Sequence, residues 1–222
     1  DFLMPGYLGS AKDFKERYEV PITKEKDSAV QSRLARRLRP FLLRRLKSEV
    51  AKDLPEKLEQ VSFCDLTKRQ SAAYEQILES GRQKILEADS TQGAGKGRMV
   101  ALQVLLRLRQ VCCDLRLLDL GEVEKGEASG KLDMFQELLE ESIDGGHRLL
   151  VFSQFVSMLT LLKEALDASE TEYCYLDGST RNRKAVVDRF QSESSIPVFL
   201  ISLKAGGTGL NLTGADTVVH FD

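Results

Sequence analysis

The second half of the sequence predicts an α/β fold, a parallel sheet with helices on both faces, preceded by a helical insert region. Apolar runs recur at 148–153, 173–176, 197–202 and 217–221. Helical patterns at 156–168 and 181–191 separate the first three runs. Each of those three runs ends in small polar residues: Ser153-Gln154, Gly178-Ser179-Thr180 and Ser202. Strand–helix–strand units joined by short loops give parallel strands that helices cover. In such sheets ligands sit at the carboxyl ends of strands, so three polar ends in a row predict one shared binding edge.

The chain reads as three parts. Residues 1–60 begin irregularly and become strongly helical. The opening stretch, Asp1 to Leu8, reads as the tail of something that starts upstream. Arg33, Arg36, Arg37, Arg39, Arg44, Arg45 and Lys47 follow, with no acid between Gln31 and Ser48. Leu34, Leu38, Leu42 and Leu46 recur every four residues, which predicts one apolar helix face with basic flanks. Pro40 kinks or divides that helix. A phosphate-facing or lobe-interface surface is one reading. A solvated helix whose arginine stems cover a core edge is the other.

Residues 61–128 read as a linking strand and a helical insert. Val61 to Asp65 alternates like a strand. Thr67 is a candidate N-cap for a helix to about Glu87. Residues 88–97, ADSTQGAGKG, read as an exposed, mobile linker. A second helix, Arg98 to about Val111, carries Val100, Val104, Leu105 and Leu108 on one stripe. Gly93 to Gly97 imitates a phosphate-binding loop and fails the test. Aligned on Gly95-Lys96, the first glycine position is Ser90 and the Mg²⁺-holding hydroxyl position is Gly97.

Residues 129–222 carry the sheet. A helix from Ser129-Gly130-Lys131 to Glu141 comes first, and Gly145-Gly146 turns the chain into the first strand. After the third strand comes Lys204-Ala205-Gly206-Gly207-Thr208-Gly209, flanked by apolar runs. Glycines let a backbone approach closely, and successive bare N–H groups form an anion nest. A flexible surface turn is the other reading.

Composition narrows the classes. A net charge of −2 gives no global field that attracts nucleic acid, so any such contact must be a local basic patch. Cys64, Cys112, Cys113 and Cys174 lack paired metal-ligand spacing and read as reduced, small hydrophobes. No secretory signal and no membrane-spanning run stands out. His147 and His220 offer no nucleophile–base pair, and His220, inside an apolar run, reads as a satisfied core residue.

VFSQF, YLDGST and ISLKAGGTGLNLTGADTVVHFD resemble motifs four, four-a and five of the Swi/Snf-type DNA translocases of helicase superfamily two. PFLLRRLKSEVAKDLPEKLE (40–59) and LRLRQVCC (106–113) match that family too. The five segments occur in the family's order and cover essentially the whole chain. One departure is Asp114-Leu115, where the family has a histidine or asparagine and then proline; the position reads as structural.

The resemblance implies a RecA-like second helicase lobe at 129–222, behind the end of a first ATPase lobe at 1–60. It implies double-stranded DNA, ATP and the first lobe of the same parent chain as partners. By resemblance, Ser153, Gln154, Gly178, Ser179, Thr180, Ser202, Lys204, Gly206 and Thr208 would face DNA. Gly207, Gly209 and Asn211 would face nucleotide, with Asn211 bracing the loop through its side chain. Thr180 reads equally as an N-cap, Gln154 as a helix-capping or exposed amide, and Asp177 as a turn former. ATP and Mg²⁺ would be held mainly by the first lobe, and the family's finger arginines are expected beyond Asp222. The fragment alone is therefore expected not to hydrolyse ATP. A bacterial cytoplasm is the implied home, with a nucleus as the alternative. A non-catalytic nucleic-acid-binding module and a scaffold that recruits partners through the insert are the other readings.

Overall fold

A computed structural model describes residues 4–50, 57–92, 94–118, 125–207 and 209–222. By its internal contacts the chain divides into two units, Asp1–Val61 and Ser62–Asp222.

The first unit is helical. Helix α1 (Ala11–Phe14) opens with a reciprocal Ser10–Asp13 capping box. A π-helical turn (Lys15–Glu19) leads into α2 (Val20–Thr23). Helix α3 (Ser28–Leu38) starts where the Asp27 carboxylate accepts from the Ala29 and Val30 amides. Tyr18 and Val30 are buried, and Arg37 donates to the Tyr18 hydroxyl and the Tyr7 carbonyl. Pro40 has no N–H to extend the ladder, so α3 gives way to a 3₁₀ turn (Arg39–Phe41). The expected leucine stripe is broken there. Leu42 is extended and both Leu42 and Leu46 are exposed, so one continuous apolar face does not form. Helix α4 (Lys47–Val50) follows; residues 51–56 lie outside the described residues.

The second unit corrects two sequence expectations. Residues 61–65 are not a strand: Val61 and Phe63 are exposed, and none of the described strands lies beside them. The glycine-rich stretch 88–97 is mostly helical rather than a linker. Helix α5 (Lys68–Gln92) and helix α6 (Ala94–Cys113) form a long hairpin that takes in all of it except Gly93, which lies outside the described residues. Two glycines of the hairpin, Gly81 and Gly97, serve close packing. A Cβ on Gly81 would stand 2.5 Å from Val104, and one on Gly97 would stand 3.1 Å from Asp89. Thr67 does cap α5, and reciprocally. Its hydroxyl accepts from the Gln70 amide, and its own N–H donates to the Gln70 side chain, both at 3.1 Å. The buried Gln70 also donates to the Val111 carbonyl and accepts from the Gly130 amide, tying α5 to α6 and to the next long helix. Asp114 is structural: its buried carboxylate caps a 3₁₀ turn (Leu115–Leu117) and pairs with Arg116 at 2.7 Å.

The short α7 (Lys125–Ala128) precedes α8 (Gly130–Asp144), capped by Ser129. Strand β1 (Leu149–Ser153), α9 (Val156–Ala168), β2 (Tyr173–Leu176), α10 (Arg183–Ser192), β3 (Val198–Ser202), α11 (Leu203–Gly206) and β4 (Thr217–His220) complete the lobe. All four strands are parallel, in the order β2-β3-β1-β4. Alternate side chains feed two cores. Leu149, Val151, Val198 and Leu200 meet α8 and α9 on one face. Leu150, Phe199 and Ile201 meet Phe190 of α10 and Ala205 of α11 on the other. The sheet is therefore RecA-like, with helices on both faces. Among the described strands β4 lies at the edge, and the reading of His220 is corrected: it is exposed there and stacks on Phe152 at 5.5 Å.

Candidate nucleic-acid interface

Register brings the three polar strand ends together. Ser153 pairs with Ser202, and Leu176, the last residue of β2, with Ile201. The turns after β1, β2 and β3 therefore open on one edge.

At the end of β1, Ser153 is fully buried. Its hydroxyl donates to the Asp222 carboxylate and accepts from the Phe155 amide at 3.1 Å. The Gln154 N–H donates to the other Asp222 oxygen at 2.9 Å. The Gln154 side-chain nitrogen is buried with no hydrogen-bond partner, and α9 has no side-chain cap. An orphaned donor of this kind costs about 1–3 kcal/mol, so this amide gains by reaching an acceptor.

After β2, Gly178 and Ser179 are exposed on a turn built around Asp177. One Asp177 oxygen accepts from the Ser179 amide at 2.8 Å and hydroxyl at 2.7 Å; the other accepts from the Tyr175 hydroxyl at 3.0 Å. Those bonds, Ser179's side chain first, hold the Asp177 carboxyl below the usual carboxylate range. Burial first, then the bond to Asp177, pushes the Tyr175 phenol up to about 12. Asp177 is thus a turn former, as expected, with its charge directed inward. Thr180 does not cap the helix. Its hydroxyl serves Asp177, while Asn182 caps α10 by accepting from the Ala185 amide at 3.2 Å. Helix α10 starts at Arg183, so Gly178, Ser179 and Thr180 stand before its first turn rather than in it.

After β3, the glycine loop opens as a helical turn, not as bare extended backbone. Buried Ser202 caps α11 by accepting from the Ala205 amide at 3.2 Å. Lys204 is exposed on that turn. Gly206 is required by close approach, since a Cβ there would stand 2.7 Å from the Phe152 ring. Gly207 is exposed, and Gly209, at φ +58°, has open space where a Cβ would sit. Thr208 lies outside the described residues. The hydrogen bond found at Asn211 is not the expected side-chain brace: its carbonyl accepts from the Gln191 amide at 2.9 Å.

Sequence reasoning missed several residues here. Arg181 and Lys184 are exposed beside the Gly178 turn and, with Lys204, make the edge locally cationic. Asp222 fixes Ser153 and Gln154. Arg183 donates to the Ala205 carbonyl, and Arg148 to the carbonyls of Phe190, Glu193, Ile196 and Gly214. A signal existed for Arg183: a cation in a helix's first turn opposes the macrodipole and calls for a specific partner. Among the described residues, no group of three or more His, Cys, Asp or Glu side chains is placed to hold a metal ion.

The family model of the SNF2-related domain matches residues 1–117, and that of the helicase conserved C-terminal domain matches 130–222. The chain belongs to the SNF2-related family. Among its relatives, the putative ATP-dependent helicase/translocase YwqA of Bacillus subtilis is 37% identical across the whole chain, which covers 24% of that protein. Nuclear protein STH1/NPS1 of Saccharomyces cerevisiae is 34% identical across the whole chain, which covers 18% of it. The SNF2-related chain thus spans about a fifth to a quarter of the length of these curated relatives. It is also similar to the Sulfolobus solfataricus SWI2/SNF2 ATPase core solved in complex with dsDNA, at 33% identity and a TM-score of 0.67, over 98% of this chain and 46% of that one. Relatives named as ATP-dependent helicases are found in bacteria and plants. Among the described residues no helix is long and apolar enough to cross a membrane.

Proposed function

We propose that residues 129–222 are the second lobe of an ATP-dependent double-stranded DNA translocase, and that residues 1–60 end its first lobe. The observation that carries the reading is the shared edge: three register-matched strand ends open on it, those of β2 and β3 in exposed glycine turns flanked by the cations Arg181, Lys184 and Lys204, while the one carboxylate of the Gly178 turn faces inward. Such a surface holds phosphates rather than bases, since backbone contacts position a duplex without reading its sequence. Gln154, Gly178, Ser179, Thr180, Lys204, Gly206 and Thr208 would follow one strand of the duplex. Ser153 and Ser202 are buried and would act by fixing the turns. Gly207 and Gly209 fit a backbone cradle for nucleotide, with Asn211 beside them. ATP and Mg²⁺ would be held mainly by the first lobe, so this chain alone would not turn over ATP. The SWI2/SNF2 core solved with dsDNA supports this reading by likeness.

The test is Lys204→Ala. Binding to duplexes of unrelated sequence should weaken by a similar factor, and the slope of log affinity against log salt should fall by about one. A loss confined to one sequence would refute backbone tracking. DNA-stimulated ATP turnover by the chain alone would refute the assignment of hydrolysis to the first lobe.

A further inference from the structure

We infer that α10 and the loop from Leu203 to Asp216 form one cassette, so that the grip after β2 and the nucleotide-facing glycines move together, with Gln191 as its positioning residue. This rests on the reading above for its role in coupling, but its geometry stands alone.

Three ties run between helix and loop. At the start of α10, Arg183 donates to the Ala205 carbonyl of α11. At its end, the Gln191 side-chain nitrogen donates to the Asn211 carbonyl at 2.9 Å and the Thr213 hydroxyl at 3.2 Å. Beyond them, Arg148 bridges the two elements. It donates to the Glu193 carbonyl at 3.0 Å, to that of Phe190, and to Gly214 of the loop at 2.9 Å, and its guanidinium lies 4.1 Å from the Phe190 ring centroid. Arg148 thereby supplies donors to carbonyls at the helix C-terminus, where the macrodipole favours a cation. The Gln191 and Arg148 side chains close directly over Gly214, where a Cβ would stand 2.6 Å from Gln191 Oε1 and 3.0 Å from Arg148. Val186 and Val187 of α10 pack in the same apolar cluster as Leu210, Leu212 and Ala215 of the loop. The bonds to carbonyls and the shared apolar core leave few ways to shift one element without the other. Helix α10 begins just after the Gly178–Thr180 turn, and the loop carries Lys204, Gly207 and Gly209. A displacement of either turn is therefore transmitted through α10 as a rigid strut, a contiguous packed element of the kind that carries coupling between sites.

Hydrogen exchange tests this. Gln191→Ala removes the central tie without emptying a core position. Exchange should speed by a common factor, about three- to tenfold, at the Ala205 and Gly207 amides of the loop and at the Glu193 amide ending α10. The Leu159 amide on the opposite face should not change. Arg183→Gln, at the other end of the helix, should give the same paired acceleration. Acceleration on one side only, or none, would overturn the cassette. In the full-length protein, Gln191→Ala should lower the ratio of DNA-stimulated to basal ATP turnover several-fold; an unchanged ratio would overturn the coupling role. If duplex DNA neither protects nor stimulates the wild type, the proposed function fails while the exchange pattern still decides the cassette.

Discussion

Replacing Asp177 tests whether one inward carboxylate builds the turn after β2. It accepts from the Tyr175 hydroxyl, the Ser179 amide and hydroxyl, and the Thr180 hydroxyl at 3.3 Å. Hydrogen bonds to a charged group are worth about 1.5–3 kcal/mol each, but neighbours in one network do not add. Ser179 is exposed and rehydrates when released, whereas Tyr175 is half-buried and does so poorly. Asp177→Ala should therefore cost about 2–4 kcal/mol. For a unit of this size that lowers Tm by roughly 4–16 °C. Asp177→Asn keeps one acceptor oxygen and should cost about 1 kcal/mol. Thermal unfolding followed by circular dichroism reads both. The sign with pH is fixed by the lowered pKa: the stabilisation is complete above the unfolded-state value and is lost as pH falls through the folded one. The Tm gap between wild type and Asp177→Asn should therefore narrow on acidification. A full-sized gap at acid pH, or an Asp177→Ala loss below about 0.5 kcal/mol, would refute the account.

Two further outcomes follow from the packing. Gly206→Ala pushes a methyl into the Phe152 ring and should cost about 1–3 kcal/mol, measured by denaturant unfolding; a neutral result would mean that the turn relaxes freely. Burial pushes the Cys113 thiol up to about 11, so in the folded protein it should resist alkylation at pH 8 while the half-buried Cys64 and Cys112 react first; modification mapped by mass spectrometry at comparable rates would contradict its placement in the core.

The lobe was legible because its signals are local. The runs at 148–153, 173–176 and 197–202 match β1, β2 and β3 within a residue, and 156–168 matches α9. Continuous apolar strands and short loops leave few other arrangements. What failed depended on tertiary partners. Residues 61–65 alternate like a strand, yet none of the described strands pairs with them. Residues 88–97 look like a linker by composition, yet apart from Gly93, outside the described residues, they lie in α5 and α6, where Gly97 packs against Asp89. The edge position of β4, which exposes His220, is a matter of strand order that spacing cannot show. In the site, the glycines and Lys204 stood out by residue type. Arg148, Arg183, Gln191 and Asp222 did not, because they act on backbone carbonyls and amides far away in sequence, which leave no motif.

The α5–α6 hairpin has a mechanical consequence. A helix of 25 residues reaches about 37 Å at 1.5 Å per residue. Its root is held by Gln70 through the Val111 carbonyl and the Gly130 amide, and its shaft is drawn tight where Gly81 meets Val104. A tilt of about 10° at that root sweeps the far end through roughly 6 Å, a full turn of helix in scale. By length alone, any small rotation at the base of the hairpin would be magnified several-fold toward its far end.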